Sequence, residues 1–194
     1  MVSFNTPSVG YCRDQAADPN HRGWGWRAAE YHRTMAITAS TRARLNTQID
    51  ALPVILDEAN TRFADVRPDD GGWSATENIA HLARHAHVFF ERVGRIVRED
   101  RPDLGSYRPE MDAEWPSWRS LPLDEALRRL RQARGRLIAW VDALTDDETR
   151  RTAVHPVLGV MDTGRWLEFF LLHEAHHLYS AMRRLGQARG RDTG

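Results

Sequence analysis

Residues 171–182 read "LLHEAHHLYSAM", which places three histidines within five positions of an apolar run. In an α-helix, residues four apart lie on the same face, one turn from each other. His173 and His177 therefore share a face, whereas His176 is turned away from His177 by about 100° and is expected to flank the pair. The other residues near the shared stripe are Trp166, Phe170, Ala181 and Met182. The segment predicts a helix with two histidines on its inward face.

A helical repeat of apolar residues continues over most of the chain after Met35. It predicts four long helices, at about 38–65, 74–98, 123–144 and 162–185. Pro53 is expected to kink the first helix or to mark an internal start, because proline lacks the amide donor. No stretch predicts a sheet. The fold class is therefore all-α, and the arrangement a four-helix bundle with an extra N-terminal arm.

Short motifs mark where these helices begin. "SATE" at 74–77 and "TDDE" at 145–148 have the capping-box spacing, in which a hydroxyl and a carboxylate satisfy free helix amides. "HPVLGVMDTG" at 155–164 is interpreted as a tight connection, in which Asp162 or Thr163 caps the last helix.

The connection at 99–121 is long and rich in proline, acids and aromatic residues. A loop of this length inside a compact domain is usually functional or wrapped across a face. Tyr107, Trp115 and Trp118 either line the mouth of a pocket or anchor the loop by burial, and the pattern favours anchoring.

Composition excludes several classes of protein. The 27 basic residues, all arginine, balance 27 acidic ones, so no net charge favours nucleic acid or a membrane surface. Cys12 is the single cysteine, and no segment resembles a secretory signal or a membrane span. These features predict a cytoplasmic protein with a small-molecule substrate, and a homodimer is a further possibility for a bundle.

The chain is expected to consist of a short N-terminal extension and one larger domain. Residues 1–34 carry prolines and glycines without a helical period, which predicts a loosely ordered N-terminal extension. Residues 35–194 are long enough to bury a core and form the bundle domain.

Two histidines make a weak metal site, because a catalytic metal usually has three protein ligands and one open position. The best third candidate is His81, which lies among apolar residues on the second helix. His85 lies one turn further, so His81 and His85 form a rival pair, whereas His87 lies off that face.

Longer motifs resemble a known family. "GGWSATENIAHLARH" at 71–85, followed by "LGVMDTGRWLEFFLLHEAHHLYSAMRRLGQ" at 158–187, is similar to the DinB/YfiT-like proteins. The similarity covers about 38–188, and the order and spacing of the motifs make it specific. It implies a four-helix bundle with an open metal site, whose ligands would be His81, His173 and His177.

The resemblance also implies a range of activities. The pattern is usually associated with zinc or nickel, and characterised relatives include S-transferases that use bacillithiol or mycothiol. A lysine-free chain is typical of a high-GC genome, which favours mycothiol if the source is an actinobacterium. The prediction is a metal-dependent thiol S-transferase acting on small electrophiles. The alternatives are a metal-dependent hydrolase of the same fold and a non-catalytic metal-binding stress protein.

Other residues remain open candidates. Arg84, Arg92 or Arg165 could hold the polar groups of a thiol, although surface arginines are usually only solvated. Glu77 lies one turn before His81 and could orient a metal-bound group, but its capping-box role explains it equally well. No residue is assigned as the catalytic acid or base.

Overall fold

The computed structural model describes residues 37–192, so the extension predicted at 1–34 lies outside the described part. Its helices are α1 (Ala39–Thr47), α2 (Leu52–Ile55), α3 (Glu58–Thr61), α4 (Ala75–Arg98), α5 (Trp115–Arg119), α6 (Leu123–Ala143), α7 (Asp146–Arg150) and α8 (Thr163–Asp192). Short 3-10 turns occupy Gln48–Ala51 and Pro109–Met111, and two strands, β1 (Thr152–His155) and β2 (Gly159–Asp162), precede α8. Among the described helices, none combines the length and apolar character needed to cross a membrane.

The bundle is built around α4, which packs mainly against α6 and α8. Its inward face carries the residues expected from the sequence, including the buried Ile79, Leu82, Phe89 and Val93. The segment from α1 to α3 supplies the remaining side, with α1 against α6 and α8, and α2 and α3 against α8. The predicted four-helix bundle is therefore confirmed.

The first of the four predicted helices is not continuous. A 3-10 turn follows α1, Pro53 lies in the first turn of α2, and Leu56 leaves helical geometry with φ −105° and ψ 47°. Asp57 then caps α3 by accepting a hydrogen bond from the Asn60 amide at 2.8 Å. The single helix predicted at 38–65 was wrong, and the internal start at Pro53 was right.

The prediction that no sheet forms was also wrong. β1 and β2 form an antiparallel hairpin in which Thr152 pairs with Asp162 and His155 with Gly159. Gly159 has φ +73°, a value that glycine adopts without strain. The 99–121 connection runs beside β1, because the Val154 amide donates to the Pro102 carbonyl at 2.9 Å. Each strand spans only four residues, too few for alternation to stand out in the sequence.

The last helix is longer than predicted and presents a different outer face. α8 continues beyond Leu185 to Asp192, because Leu185 and Ala188 are both buried against the core and Gly186 does not interrupt them. Met182, expected to lie inward, is 51% exposed. It lies about 140° round the helix from His177, which places it near the opposite face.

Buried apolar residues form two clusters along the bundle. One contains Ile79, Leu130 and Leu185, and the other contains Phe89, Leu137 and Trp166. The histidines lie where the clusters meet: the His81 ring contacts Trp115 of the first, and the His85 ring stacks on Phe170 of the second.

Candidate metal centre

The start of α4 fixes where His81 lies. Ser74 caps the helix by accepting from the Glu77 amide at 3.1 Å, and the Glu77 carboxylate accepts from the Ser74 amide at 2.9 Å. Burial raises the pKa of Glu77, but hydrogen bonds from Arg119, the Ser74 amide and Arg67 outweigh it and hold the pKa below its usual value. Glu77 therefore caps the helix and pairs with Arg67 and Arg119, one turn away from His81.

Three imidazoles from two helices converge at one point. One ring nitrogen from each of His81, His173 and His177 lies within 4.8 Å of the others. The Nε2 atoms of His81 and His173 are 3.0 Å apart. Nitrogens bound to one tetrahedral Zn²⁺ at ~2.0–2.1 Å are ~3.3 Å apart, so this spacing is close to that of a shared cation.

A hydrogen bond from α4 sets the orientation of the His177 ring. The Asn78 side-chain nitrogen donates to the Ser74 carbonyl at 2.8 Å, which leaves the Asn78 Oδ1 as an acceptor. His177 Nδ1, 2.9 Å from this oxygen, must then carry the proton and donate it. The Nε2 lone pair of His177 is free for a cation, which is how outer residues commonly prepare metal-binding histidines.

Burial keeps the three imidazoles neutral. It lowers the pKa of His81 to about 3 and that of His173 to about 4, with neighbouring histidines adding to each effect. Burial and the same neighbours lower the pKa of His177 to about 2. Neutral imidazoles offer the lone pairs that a cation requires, so the rings can bind metal without first losing protons.

The residues present fit a divalent cation. Against each other, His81 and His173 can form at most one hydrogen bond, and the buried His81 Nδ1 has no partner among the described residues. A cluster of neutral nitrogens with its acceptors facing inward is the donor set that Zn²⁺ and Ni²⁺ accept.

The remaining histidines occupy other positions. His85 is 3% exposed and its ring centroid is 4.0 Å from that of His173, but it is outside the group of three converging nitrogens. His87 packs against Trp118 with ring centroids 5.1 Å apart. His176 is exposed on the outer face of α8. The cluster thus joins His81 to the pair on α8. Metal binding by these three histidines remains a prediction.

A cavity of about 440 Å³ opens beside the three histidines. Its lining is aromatic and apolar for the most part and comprises Trp73, His81, His85, Arg92, Ser106, Tyr107, Pro109, His155, Val157, Leu158, Phe169, His173 and His177. None of these residues, all in the described part of the chain, carries a carboxylate.

The loop aromatics divide between cavity and core. Tyr107 lines the cavity and donates to Asp112 at 2.9 Å, and Asp112 also accepts from Arg84 at 2.6 Å. Trp115 and Trp118 are instead buried in the core, where they anchor the loop as expected. Of the three arginines considered from the sequence, Arg84 is paired and Arg92 lines the cavity, whereas Arg165 does not line it.

One cavity residue, His155, did not emerge from the sequence. It ends β1, and its Nδ1 accepts from the amides of Val157 and Leu158, both at 3.1 Å. The sequence feature that indicates the hairpin is Gly159, which closes a short turn between apolar residues. From the sequence alone, that segment is interpreted as a tight connection before the last helix.

Known proteins resemble this chain over most of its length. The family model of the DinB superfamily matches residues 38–181. A protein of Oceanobacillus iheyensis is 25% identical over 135 residues, covering 68% of this chain and 78% of its own length. YfiT of Bacillus subtilis is 23% identical over 154 residues, covering 77% and 86%. The names of both relatives propose a metal-dependent hydrolase.

The solved structure of Bacillus subtilis YfiT is similar in fold. It superposes with a TM-score of 0.63 at 21% identity, over 80% of this chain and 91% of YfiT, and is described as a four-helix bundle of unusual topology. The family model covers well over half of the chain and includes all three converging histidines. The chain belongs to the DinB superfamily.

Proposed function

We propose that the protein is a metal-dependent enzyme in which His81, His173 and His177 hold a divalent cation, zinc or nickel. The adjoining cavity would bind a low-molecular-weight thiol and a small electrophile. The observation that carries this proposal is the convergence of three neutral imidazoles on a cavity of about 440 Å³. Relatives whose names propose metal dependence support it.

The protein supplies an arrangement suited to such a site. A divalent cation on three neutral imidazoles keeps its +2 charge and lowers the pKa of a thiol or water that it binds. Asn78 holds the His177 ring in one tautomer. Trp73, Tyr107 and Phe169 give the cavity aromatic walls that limit water near the reacting atoms.

The absence of a carboxylate from the described cavity lining favours a thiol over water as the nucleophile. Water activation in metal-dependent hydrolysis commonly uses a nearby carboxylate as general base. A thiol, with an ordinary pKa of about 8.5, loses its proton far more readily and needs no such base. The net reaction would join the sulfur to an electrophilic carbon. The leaving group would depart with its electron pair, and the thiol proton would pass to solvent.

Hydrolysis is the second candidate, and the names of the relatives favour it. Water would then supply the oxygen that joins the electrophilic carbon, and the leaving group would depart with the electron pair of the broken bond. The water proton would pass to the leaving group or to solvent. The same histidines and the same cavity would serve, so the two candidates differ only in the nucleophile.

Cobalt-substituted protein distinguishes the two candidates directly. Adding N-acetylcysteine should produce a sulfur-to-cobalt charge-transfer band in the near ultraviolet, whereas N-acetylserine, which differs only in oxygen for sulfur, should not. His81→Ala should abolish the band and His176→Ala should retain it, because His176 is exposed on the outer face.

Turnover completes the test. Thiol-dependent conjugation of an activated aryl halide, lost in His81→Ala, would support the transferase. No thiol band together with metal-dependent hydrolysis of p-nitrophenyl acetate would replace it with the hydrolase.

A further inference from the structure

Arg92 is a cation that lines the cavity and has no acidic partner among the described residues. It lies eleven residues after His81 on α4, about 20° away around the helix, so both face the same cavity. Its Nη2 donates to the Gly105 carbonyl at 3.1 Å. Within the described residues it makes no ion pair, whereas Arg84 pairs with Asp112 and Arg95 pairs with Glu99.

The charge of Arg92 acts on the cavity interior. Burial lowers the pKa of the Arg92 guanidinium, and the nearby Arg95 charge adds to this effect. The imidazoles of His85, His155 and His173 all have lowered pKa values, for which burial is the main cause and the Arg92 charge a further one. A partly desolvated cation with no counter-charge is energetically costly, which is a reason to expect an anion there.

His155 adds a directed donor to the same cavity. Because its Nδ1 accepts from the Val157 and Leu158 amides, both at 3.1 Å, the proton of the neutral ring must be on Nε2. In the described part of the chain, the hydrogen bonds of this ring are the two that Nδ1 accepts, and neither uses Nε2. The ring is held between Trp166 and Phe169, with centroids 5.5 and 5.1 Å away. The hairpin turn therefore fixes both the tautomer and the position of this donor.

We propose that Arg92 and His155 form a subsite for the carboxylate of a small substrate, held so that its reactive carbon lies near the three histidines. The inference rests on the proposed function, because it assigns a substrate class to the same cavity. It adds that the electrophile, or the thiol itself, is a monocarboxylate with an apolar or aromatic body.

A carboxylate matches this subsite better than a phosphate does. Arg92 is the one formally charged side chain in the described cavity lining, and it supplies a single positive charge. A guanidinium edge and one N–H suit the two oxygens of a planar carboxylate. The aromatic walls contributed by Trp73, Tyr107 and Phe169 suit a flat apolar body attached to it.

Benzoate and benzamide test the subsite, because they share a shape and differ in charge. Calorimetric titration of the full-length protein should show that benzoate binds at least tenfold more tightly than benzamide. Arg92→Met should remove this preference. Arg95→Met, which removes an exposed arginine on the same helix, is the matched control and should keep it.

His155→Asn is a second variant, which keeps the inference testable if Arg92→Met does not fold. An asparagine oxygen can replace Nδ1 as acceptor for the turn amides but supplies no donor at the Nε2 position. It should retain the wild-type circular dichroism melt and lose at least threefold of the preference for benzoate. A full preference in this folded variant would remove His155 from the subsite.

His81→Ala separates this inference from the proposed metal site, because a carboxylate could also bind a metal directly. The subsite predicts that the preference for benzoate survives in His81→Ala and disappears in Arg92→Met. Loss of the preference in His81→Ala, or its survival in Arg92→Met, would overturn the inference. The metal content of His81→Ala is measured in the same samples, and a full content would count against the metal site alone.

Discussion

His173 and Glu174 are neighbours in α8, yet their side chains belong to two different kinds of buried polar site. Both Glu174 oxygens have partners: Oε1 accepts from Gln48 at 2.8 Å, and Oε2 pairs with Arg134. Arg134 also donates to the Leu45 carbonyl at 3.0 Å, and only its Nε lacks a partner. His173 faces the cavity instead, where its Nε2 meets another histidine nitrogen at 3.0 Å.

The difference separates a structural site from a binding site. Buried polar groups are nearly always hydrogen-bonded, and both Glu174 oxygens follow that rule, although the Arg134 Nε beside them does not. The histidine cluster departs from it, because His81 Nδ1 and His85 Nδ1 are buried without partners among the described residues. Three neutral imidazoles that converge beside a cavity are typical of a site that is completed by a ligand.

The largest effect on stability should come from breaking the ion pair. Arg134→Met leaves the Glu174 carboxylate buried without its cation and should lower the free energy of unfolding by about 3–5 kcal/mol. Arg128→Met, at an exposed pair with Glu125, should change the free energy of unfolding little, because water screens such a pair. Urea unfolding measures both.

The double variant sharpens the comparison. Arg134→Met combined with Glu174→Leu removes both charges and should recover most of the lost stability, because a buried pair replaced by apolar residues is often neutral. If Arg134→Met lowered the free energy of unfolding as little as Arg128→Met does, the buried pair would contribute no more than a surface contact.

A smaller effect should follow from freeing the His177 ring. Asn78→Ala removes the acceptor for Nδ1 and should weaken metal binding by about 10–100-fold, as loss of such outer partners does elsewhere. Asn78→Asp keeps an oxygen at that position and should retain tight binding. Competition with a chromophoric chelator gives both affinities, and equal losses in the two variants would dismiss the orienting role.

The last prediction concerns how the stability of the metal-free protein depends on pH. The pKa of His81 falls from 6.5 to about 3 on burial, so the unfolded chain takes up its proton first as the pH falls. Stability from this residue is therefore complete above pH 6.5 and is lost as the pH falls toward 3. The slope is roughly 1.4 kcal/mol per pH unit for one such group.

Chelator-treated protein isolates this contribution. Between pH 6.5 and 4.5, the stability of His81→Ala should fall less steeply than that of the wild type, by about the slope of one proton. Parallel slopes for the two proteins in urea unfolding would mean that His81 is not kept neutral by the fold.

Local sequence patterns predicted the features that depend only on residues close together in the chain. The capping boxes at Ser74 and Thr145 form as expected, and α4 ends at Arg98 as its apolar repeat indicated. The spacing of His173 and His177 identified their shared face, since it depends only on helical period. His81 was a candidate from its apolar surroundings, and the family resemblance placed it with the pair.

Such patterns could not predict contacts between residues that are far apart in the chain. The pairing of Arg134 with Glu174 joins two helices, and neither residue differs locally from a solvated one. The cavity role of His155 depends on a hairpin whose four-residue strands are stabilised partly by the 99–121 connection. Arg92 was one of several candidate arginines. Only the packed structure shows that, in the described part of the chain, it has no acidic partner whereas Arg84 and Arg95 each have one.

The most direct measurement is the metal content of the purified protein and its single-histidine variants, determined by inductively coupled plasma mass spectrometry. We predict about one divalent cation per chain in the wild type, in His85→Ala and in His176→Ala, and close to none in His81→Ala, His173→Ala or His177→Ala. A full equivalent of metal retained by His81→Ala, or its loss in His176→Ala, would contradict a site built from these three histidines.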